Sequence, residues 1–110
     1  MAREEESEMD DDATRAATTA LQVSRDDTRS RYTGHLDGEQ ATVIDFVRRG
    51  DVLVFTHTGT QSRFRGRGLA GHTTRQALED VRAAGLRVEP VCSFTVAYFA
   101  EHPEVADLHA

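Results

Sequence analysis

The sequence is poor in several features that would indicate particular classes of protein. Cys92 is the single cysteine in 110 residues, so the chain cannot form an internal disulfide bond and fits a reducing compartment. No apolar run approaches the roughly 20 residues needed to cross a bilayer, and the N-terminus lacks the apolar core of a signal peptide. We therefore expect a soluble, cytoplasmic protein with no membrane partner.

Excess negative charge is confined to the N-terminal end. The first twelve residues contain seven carboxylates and one arginine, a net charge of −6 that equals the charge of the whole chain, so residues 13–110 are neutral overall. Acidic runs without an apolar pattern are typically solvated. We predict that residues 1–26, with a weak helical pattern at 13–23, form a disordered tail and residues 27–110 a single domain. A less favoured alternative is an arm that covers a basic surface or mimics nucleic acid.

The first half of the domain predicts three antiparallel strands. Strand patterns at 29–36 and 39–48 flank Asp37-Gly38, a dipeptide typical of a hairpin turn. The next run, 52–57, is continuously apolar, as is typical of a central strand buried on both faces. A three-stranded antiparallel meander is the simplest arrangement of these strands.

The second half predicts a helix, a strand and a last helix. From Arg67 onwards, apolar residues recur at three- and four-residue spacings until Gly85, which is placed to end the helix. Residues 86–91 then form a fourth strand, which can lie parallel to the third because a helix connects them. Ser93 is expected to cap the last helix, and His102-Pro103 to end it. The predicted fold class is α/β of the α+β type, with a mixed sheet.

The stretch between the third strand and the helix, residues 61–71, contains three arginines and three glycines. Glycines allow a ligand to approach the backbone closely. A helix start leaves backbone N–H groups unpaired, and its dipole attracts anions such as phosphate. This arginine–glycine turn therefore predicts a pyrophosphate site.

Three interpretations compete for the arginine–glycine turn. Residues 66–71 match G-x-G-x-x-G, and Glu89 lies where a dinucleotide ribose would need an acid. Eight residues, 58–65, separate the strand from the first glycine, however, and the chain is too short for a doubly wound sheet. A triphosphate P-loop is excluded because no G-K-[S/T] occurs. Nucleic-acid binding is disfavoured because Phe64 is the only aromatic residue in the turn.

The third interpretation starts at Arg63, from which the chain reads R-x-x-G-x-G as far as Gly68. This motif resembles the acyl-CoA pyrophosphate loop of the GNAT superfamily of N-acetyltransferases, [Q/R]-x-x-G-x-[G/A]. The surroundings also resemble the small, compact members: an apolar strand ending in His57-Thr58, a helix ending in A-A-G-L, a strand with V-x-P-V-C-S and a closing H-P-E. The resemblance covers about residues 28–108.

The resemblance implies acetyl-CoA as cosubstrate, no metal, and an unidentified amine as acceptor. Acetyl-CoA would enter where the third and fourth strands splay apart, with an oxyanion-binding N–H from residues 55–57. Its pyrophosphate would accept hydrogen bonds from the turn, and the residues expected to contact it are Arg63, Phe64, Arg65, Gly66, Arg67, Gly68 and Leu69. A homodimer is compatible with so small a core.

Three side chains are candidates for catalysis. Cys92 follows the fourth strand and is expected near the CoA thiol, as a nucleophile, as a neighbour of the thioester, or simply as a small buried residue. Tyr98 resembles the last-helix tyrosine that reprotonates the thiolate in larger relatives, although Phe99 could occupy that position. His57 could serve as general base or be a structural histidine.

The sequence departs from the family pattern after His57-Thr58. An acidic and then an apolar residue are expected there, but Gly59-Thr60 stand instead. Asp45 and Glu89 are the remaining carboxylates that could substitute for the missing one. A non-catalytic acyl-CoA-binding module is therefore the main alternative to an acetyltransferase.

Overall fold

The computed structural model describes residues 20–110, and this part of the chain contains one mixed sheet of five strands. The strand order equals the chain order, and only the last pair is parallel. The strands are β1 (Leu21–Asp26), β2 (Arg31–Leu36), β3 (Glu39–Arg49), β4 (Val52–Thr60) and β5 (Arg87–Pro90). The helices are α1 (Leu69–Ala83) and α2 (Ser93–Glu101), with short 3-10 helices at Ser62–Phe64 and Pro103–Leu108. The predicted mixed α/β fold is confirmed.

The meander has four strands rather than the predicted three, because β1 lies inside the segment predicted as tail. All six β1 residues pair with β2. Leu21 is 2% exposed, and Arg25 bonds to Asp80 on α1 at 2.7 Å, so this strand is held by packing that its polar sequence did not indicate. Residues 1–19 lie outside the described part, so the tail stays a prediction there, as does the first part of the helix predicted at 13–23.

The core lies between the sheet and α1. Tyr32, Ile44 and Phe55 contribute from the strands, and α1 contributes Leu78 and Val81, all essentially fully buried. Paired residues on neighbouring strands share a face, so the residues that alternate with these core positions define the outer face of the sheet. The outer face comprises Arg31, Thr33, Val43, Asp45, Val47, His57 and Gly59.

Most predicted element ends are close to the observed ones, and two are corrected. Gly85 follows α1 with φ 72°, and Leu86 N–H donates to Val81 O at 2.9 Å, which closes the helix as expected. Ser93 is not the cap of α2: it is the first helical residue, and the N-cap is Cys92, whose backbone is extended. β4 continues three residues past the predicted strand end because it stays paired with β3 up to Thr60.

Candidate functional site

β4 and β5 separate after Phe55. The parallel pairing runs from Val52 with Arg87 to Phe55 with Pro90. Beyond that point the N–H groups of Val91 and Cys92 both donate to Phe55 O, at 3.0 and 2.9 Å, so the chain after β5 turns away while β4 stays beside β3. A notch therefore opens between the end of β4 and the start of α2.

A β-bulge in β4 sets the orientation of the side chains at this notch. Asp45 pairs with His57 and Phe46 with Phe55, so Thr56 is an extra residue, and its hydroxyl donates to Asp45 O at 3.2 Å. Bulges bend a strand and redirect the side chains that follow. After the bulge, His57 lies on the outer face, whereas Thr58, the partner of Ile44, lies on the core face.

The side chain of Cys92 contacts Thr58 across the notch. Its Sγ lies 3.6 Å from Thr58 Oγ1. Partial burial opposes ionisation of the thiol, but the Thr58 hydroxyl and the nearby backbone N–H groups of Thr95 and Phe94 outweigh it, so the pKa of Cys92 lies below its ordinary value. The thiol is half-exposed and free.

Two of the three candidate catalytic residues are thus separated by the strand. Cys92 meets the core face of β4 through Thr58, whereas His57 occupies the outer face beside Asp45. The structure does not bring His57 and Cys92 into one cluster on a single face. Their catalytic roles stay predictions.

Tyr98 lies farther along α2, in a cleft between the two helices. It is 7% exposed and stacks on His102 with ring centroids 3.8 Å apart. Burial and then Glu104 raise the pKa of Tyr98, and Arg75 and Glu79 also act on its phenol. None of these three charged neighbours lies at the notch. The ring packs against His102, in keeping with the packed aromatic that the sequence also allows, and a catalytic role for Tyr98 stays a prediction. Phe99 is only partly buried against the core.

The cleft has a volume of about 350 Å³ and begins at the arginine–glycine turn. It passes between the N-terminal half of α1 and one side of α2. Its lining residues are Gly68, Gly71, His72, Arg75, Phe94, Tyr98, Glu101 and His102.

Phe64 anchors the arginine–glycine turn to the domain. Its ring is 6% exposed and belongs to a core cluster with Leu21 and Leu69. The guanidinium carbons of Arg63 and Arg67 lie 5.2 and 5.5 Å from the ring centroid. The side chain of Phe64 is therefore structural, and the two arginines are held against it by cation–π contacts.

Backbone donors are concentrated in the second half of the turn. Phe64 N–H donates to Gln61 O at 2.8 Å and Arg65 N–H to Ser62 O at 3.2 Å, so these two groups are already used. From residue 66 to residue 71, no backbone N–H has a hydrogen-bond partner within residues 20–110. Gly66 and Gly68 have φ of 82° and 71°, which a non-glycine residue would adopt only with strain.

The arginine side chains differ in how they are engaged. Arg63 pairs with Glu39 at 3.1 Å, and Arg65 Nε donates to Thr60 O at 3.4 Å. Arg65 and Arg67 have no carboxylate partner in the described part of the chain. Two exposed positive charges therefore accompany the row of unpaired N–H groups: Arg65 precedes the row, and Arg67 lies within it.

The sequence did not predict the contact of Thr58 with Cys92, the place of Gly71 in the lining of the cleft, or the side-by-side arrangement of Arg31, Asp45 and His57. Thr58 is 34 residues from Cys92. The row follows from period-two alternation once the strand register is known, but the bulge at Thr56 breaks that alternation. Within residues 20–110, no group of three or more His, Cys, Asp or Glu side chains could hold a metal ion.

A profile described as GCN5-related N-acetyl-transferase matches residues 31–108. The match covers more than half of the chain, and the chain belongs to this family. It is similar to Protein NATD1 of Gallus gallus, with 28% identity over 85 residues, which are 76% of this chain and 77% of that protein.

Two solved structures share the fold. The NMR structure of a GCN5-like candidate N-acetyltransferase from Staphylococcus aureus has a TM-score of 0.62 at 15% identity, covering 84% of this chain and 90% of that one. The ribosomal-protein-S18-alanine N-acetyltransferase from Escherichia coli has a TM-score of 0.54 at 9% identity and covers 64% of this chain. The present chain spans 49% of that enzyme. No helix within residues 20–110 is long and apolar enough to cross a membrane.

Proposed function

We propose that this protein binds acetyl-CoA at the arginine–glycine turn and transfers the acetyl group to an amine. The observation that carries the proposal is the uninterrupted series of unpaired N–H groups at residues 66–71, at the start of α1. Helix starts of this kind favour phosphate through both hydrogen bonds and the helix dipole.

The space around the turn fits a pyrophosphate. A Cβ built on Gly66, Gly68 or Gly71 would meet no heavy atom within 4 Å, so the backbone there borders open space. Arg65 and Arg67 add positive charge beside the donors, and Arg63 is close but partly neutralised by Glu39. We expect the backbone N–H groups of residues 66–71 to donate to the pyrophosphate, because those of Phe64 and Arg65 are already bonded within the 3-10 turn.

The notch between the end of β4 and the start of α2 would take the pantetheine arm. Acetyl-CoA supplies a thioester whose carbonyl accepts a nucleophile. Cys92 is the residue with the clearest chemistry at this notch, because its lowered pKa favours the thiolate. An N–H group of residues 55–57, beside the bulge, remains the proposed donor to the oxygen that becomes negative.

Cys92 has two proposed roles, as the nucleophile or as a neighbour of the thioester, and the sequence predicts both. As nucleophile, its Sγ would bond to the acetyl carbon, the bond from that carbon to the CoA sulfur would break, and CoA would leave as thiolate and take up a proton. A neutral amine would then attack the acetyl carbon, the bond from that carbon to Sγ would break, and the proton lost by the nitrogen would pass to the departing Cys92 thiolate. As a neighbour, Cys92 would border the thioester while the amine attacks directly, with His57 taking the amine proton.

A non-catalytic acyl-CoA-binding module is the second candidate. It is supported by Gly59-Thr60 in place of the expected acidic and apolar pair, and by the separation of His57 from Cys92 across β4. Binding of nucleic-acid phosphates by the arginine–glycine turn is a third, less favoured function. Cytoplasmic location and a homodimer stay predictions.

Calorimetric titration with acetyl-CoA and CoA tests the proposal. We expect saturable binding with a stoichiometry of one per chain. An absence of heat at millimolar ligand would exclude both CoA-based functions. With binding established, release of CoA thiol in the presence of a panel of amines separates an acetyltransferase from a binding module.

A further inference from the structure

A small pocket lies on the outer face of the sheet, over Gly59. Its volume is about 250 Å³, and Val43 and Gly59 are among its lining residues. A Cβ built on Gly59 would lie 3.5 Å from Val43 Cγ2 and 3.1 Å from His57 Nε2. The missing side chain therefore helps to create the depression, and the ring of His57 lies beside Gly59, outside the pocket lining.

Arg31 places a guanidinium group at the rim of this pocket, and Asp45 partly offsets its charge. Its Nε donates to Asp45 Oδ1 at 2.8 Å, and this bond fixes the direction of the guanidinium group. Within residues 20–110, the two Nη groups of Arg31 have no hydrogen-bond partner. Gln40 and Gln61 line the same pocket and carry amide donors. A guanidinium with free Nη groups beside amide donors is suited to a carboxylate.

The pocket lies at one end of a row that leads to the bulge. Arg31 pairs with Asp45 across β2 and β3, and Asp45 pairs with His57 across β3 and β4. The three side chains therefore lie side by side on the outer face. A ligand with a carboxylate on Arg31 would extend along this row towards His57 and the bulge at Thr56.

We propose that this pocket binds the carboxylate of the acceptor, so that the acceptor is a small amine that also carries a carboxylate, such as an amino acid. The proposal rests on the proposed function, since it assigns the second substrate of the same reaction. A volume of about 250 Å³ is below the range of roughly 300–1,000 Å³ that drug-sized ligands occupy, which favours a short acceptor. His57, whose Nε2 lies beside Gly59, would take the amine proton.

Gly59, where the sequence departs from the family pattern, has a consequence for the shape and charge of the pocket. Position 59 is glycine, where the resemblance leads us to expect an acidic residue after His57-Thr58. A carboxylate at position 59 would project into the pocket and repel an anionic group. Glycine both opens the space and leaves Arg31 as the charged side chain at its rim.

Backbone amide shifts in two-dimensional NMR test the pocket directly, with three small probes. L-Alanine carries both groups, propionate only the carboxylate, and ethylamine only the amine. We expect L-alanine and propionate, but not ethylamine, to shift the resonances of residues 40–43 and 59–61 at millimolar concentration. Equal shifts with ethylamine would overturn the proposal.

Two variants and one control sharpen the test. Arg31→Gln should weaken propionate binding by about tenfold, the scale of a lost charge-assisted hydrogen bond. Gly59→Glu should abolish it. Arg48→Gln, which removes an exposed guanidinium bonded to Gly50 O, should leave it unchanged. Undiminished binding in Arg31→Gln would contradict the proposal.

Acetyl-CoA titration of the same samples separates the two proposals. Gln61 is the residue of the arginine–glycine turn that lines the pocket, and the unpaired N–H groups of residues 66–71 lie outside the lining, so both variants should bind acetyl-CoA as the natural chain does. Carboxylate binding without acetyl-CoA binding would overturn the proposed function. Acetyl-CoA binding without a carboxylate response would overturn the assignment of the pocket alone.

Discussion

Thr58 and Cys92 face each other across the notch between β4 and α2, with Oγ1 and Sγ 3.6 Å apart. The contact joins two residues 34 positions apart in the chain. It places a hydroxyl against the thiol at the point where the two parallel strands have separated. The reactivity of Cys92 therefore depends on a residue of β4.

Thr58→Val is expected to raise the pKa of Cys92. The variant keeps the β-branched shape but removes the hydroxyl that favours the thiolate, leaving burial, which favours the neutral thiol. At neutral pH, below the ordinary pKa of a thiol, the thiolate fraction and the rate of alkylation by iodoacetamide should fall, by about threefold. The pH profile of the alkylation rate should shift to higher pH. A profile identical to that of the natural chain would show that Thr58 does not act on the thiol.

Cys92→Ala distinguishes the two roles of the thiol. If Cys92 takes the acetyl group, turnover should fall by two orders of magnitude or more, about the contribution of a catalytic group. Acetyl-CoA affinity should change little, because the backbone donors lie at the other end of the site. Steady-state release of CoA and calorimetry measure the two quantities. Unchanged turnover would remove Cys92 from the covalent mechanism.

Gly71→Ala should stabilise the fold while weakening acetyl-CoA binding. Gly71 lies in the first turn of α1, and alanine is about 1 kcal/mol more favourable than glycine within a helix. A Cβ there meets no protein atom but projects into the space proposed for the phosphates. We expect a higher melting temperature and an acetyl-CoA Kd about tenfold larger. A raised melting temperature with unchanged Kd would place the pyrophosphate elsewhere.

This variant separates binding from folding better than a substitution of Gly68. Gly68 has φ 71° at the N-cap of α1, so a β-branched residue there would strain the backbone whatever its effect on the ligand.

Asp80→Ala is expected to destabilise the domain more than its neighbour Glu79→Ala. Asp80 Oδ2 accepts hydrogen bonds from Tyr32 Oη and Arg25 Nη1, both at 2.7 Å, and joins α1 to β1 and β2. Removing it leaves the fully buried Tyr32 hydroxyl unpaired, at a cost of about 2 kcal/mol. Glu79 makes only an exposed pair with Arg75, worth about 0.5 kcal/mol or less. Urea denaturation of both variants gives the comparison, and equal losses would be inconsistent with a role for Asp80 in joining these elements.

Elements with a strong local pattern could be predicted from the sequence. Asp37-Gly38 marked the β2–β3 turn, and both residues have positive φ, 54° and 81°. Gly85 marked the end of α1. β1 was missed because its sequence is largely polar and includes the half-buried Arg25, whose charge is paired with Asp80, 55 residues away on a helix. A partner so distant in the chain leaves no local signal.

The candidate site could likewise be predicted only in part from the sequence. The order of arginines and glycines in residues 61–71 predicted a phosphate-binding turn because glycine conformation and helix starts are local properties. The sequence could not show that Phe64 is buried against Leu21, nor which N–H groups the 3-10 turn consumes.

The sequence alone determined the turn, the last helices and the family resemblance, because these depend on neighbouring residues and short motifs. The tertiary structure decided which chemistry-bearing side chains meet. One extra residue, Thr56, rotates the end of β4, so that Thr58 faces Cys92 while His57 faces Asp45 on the other side of the sheet. Such a bulge is fixed by pairing with β3 across the sheet, and pairing register is a property of two strands together.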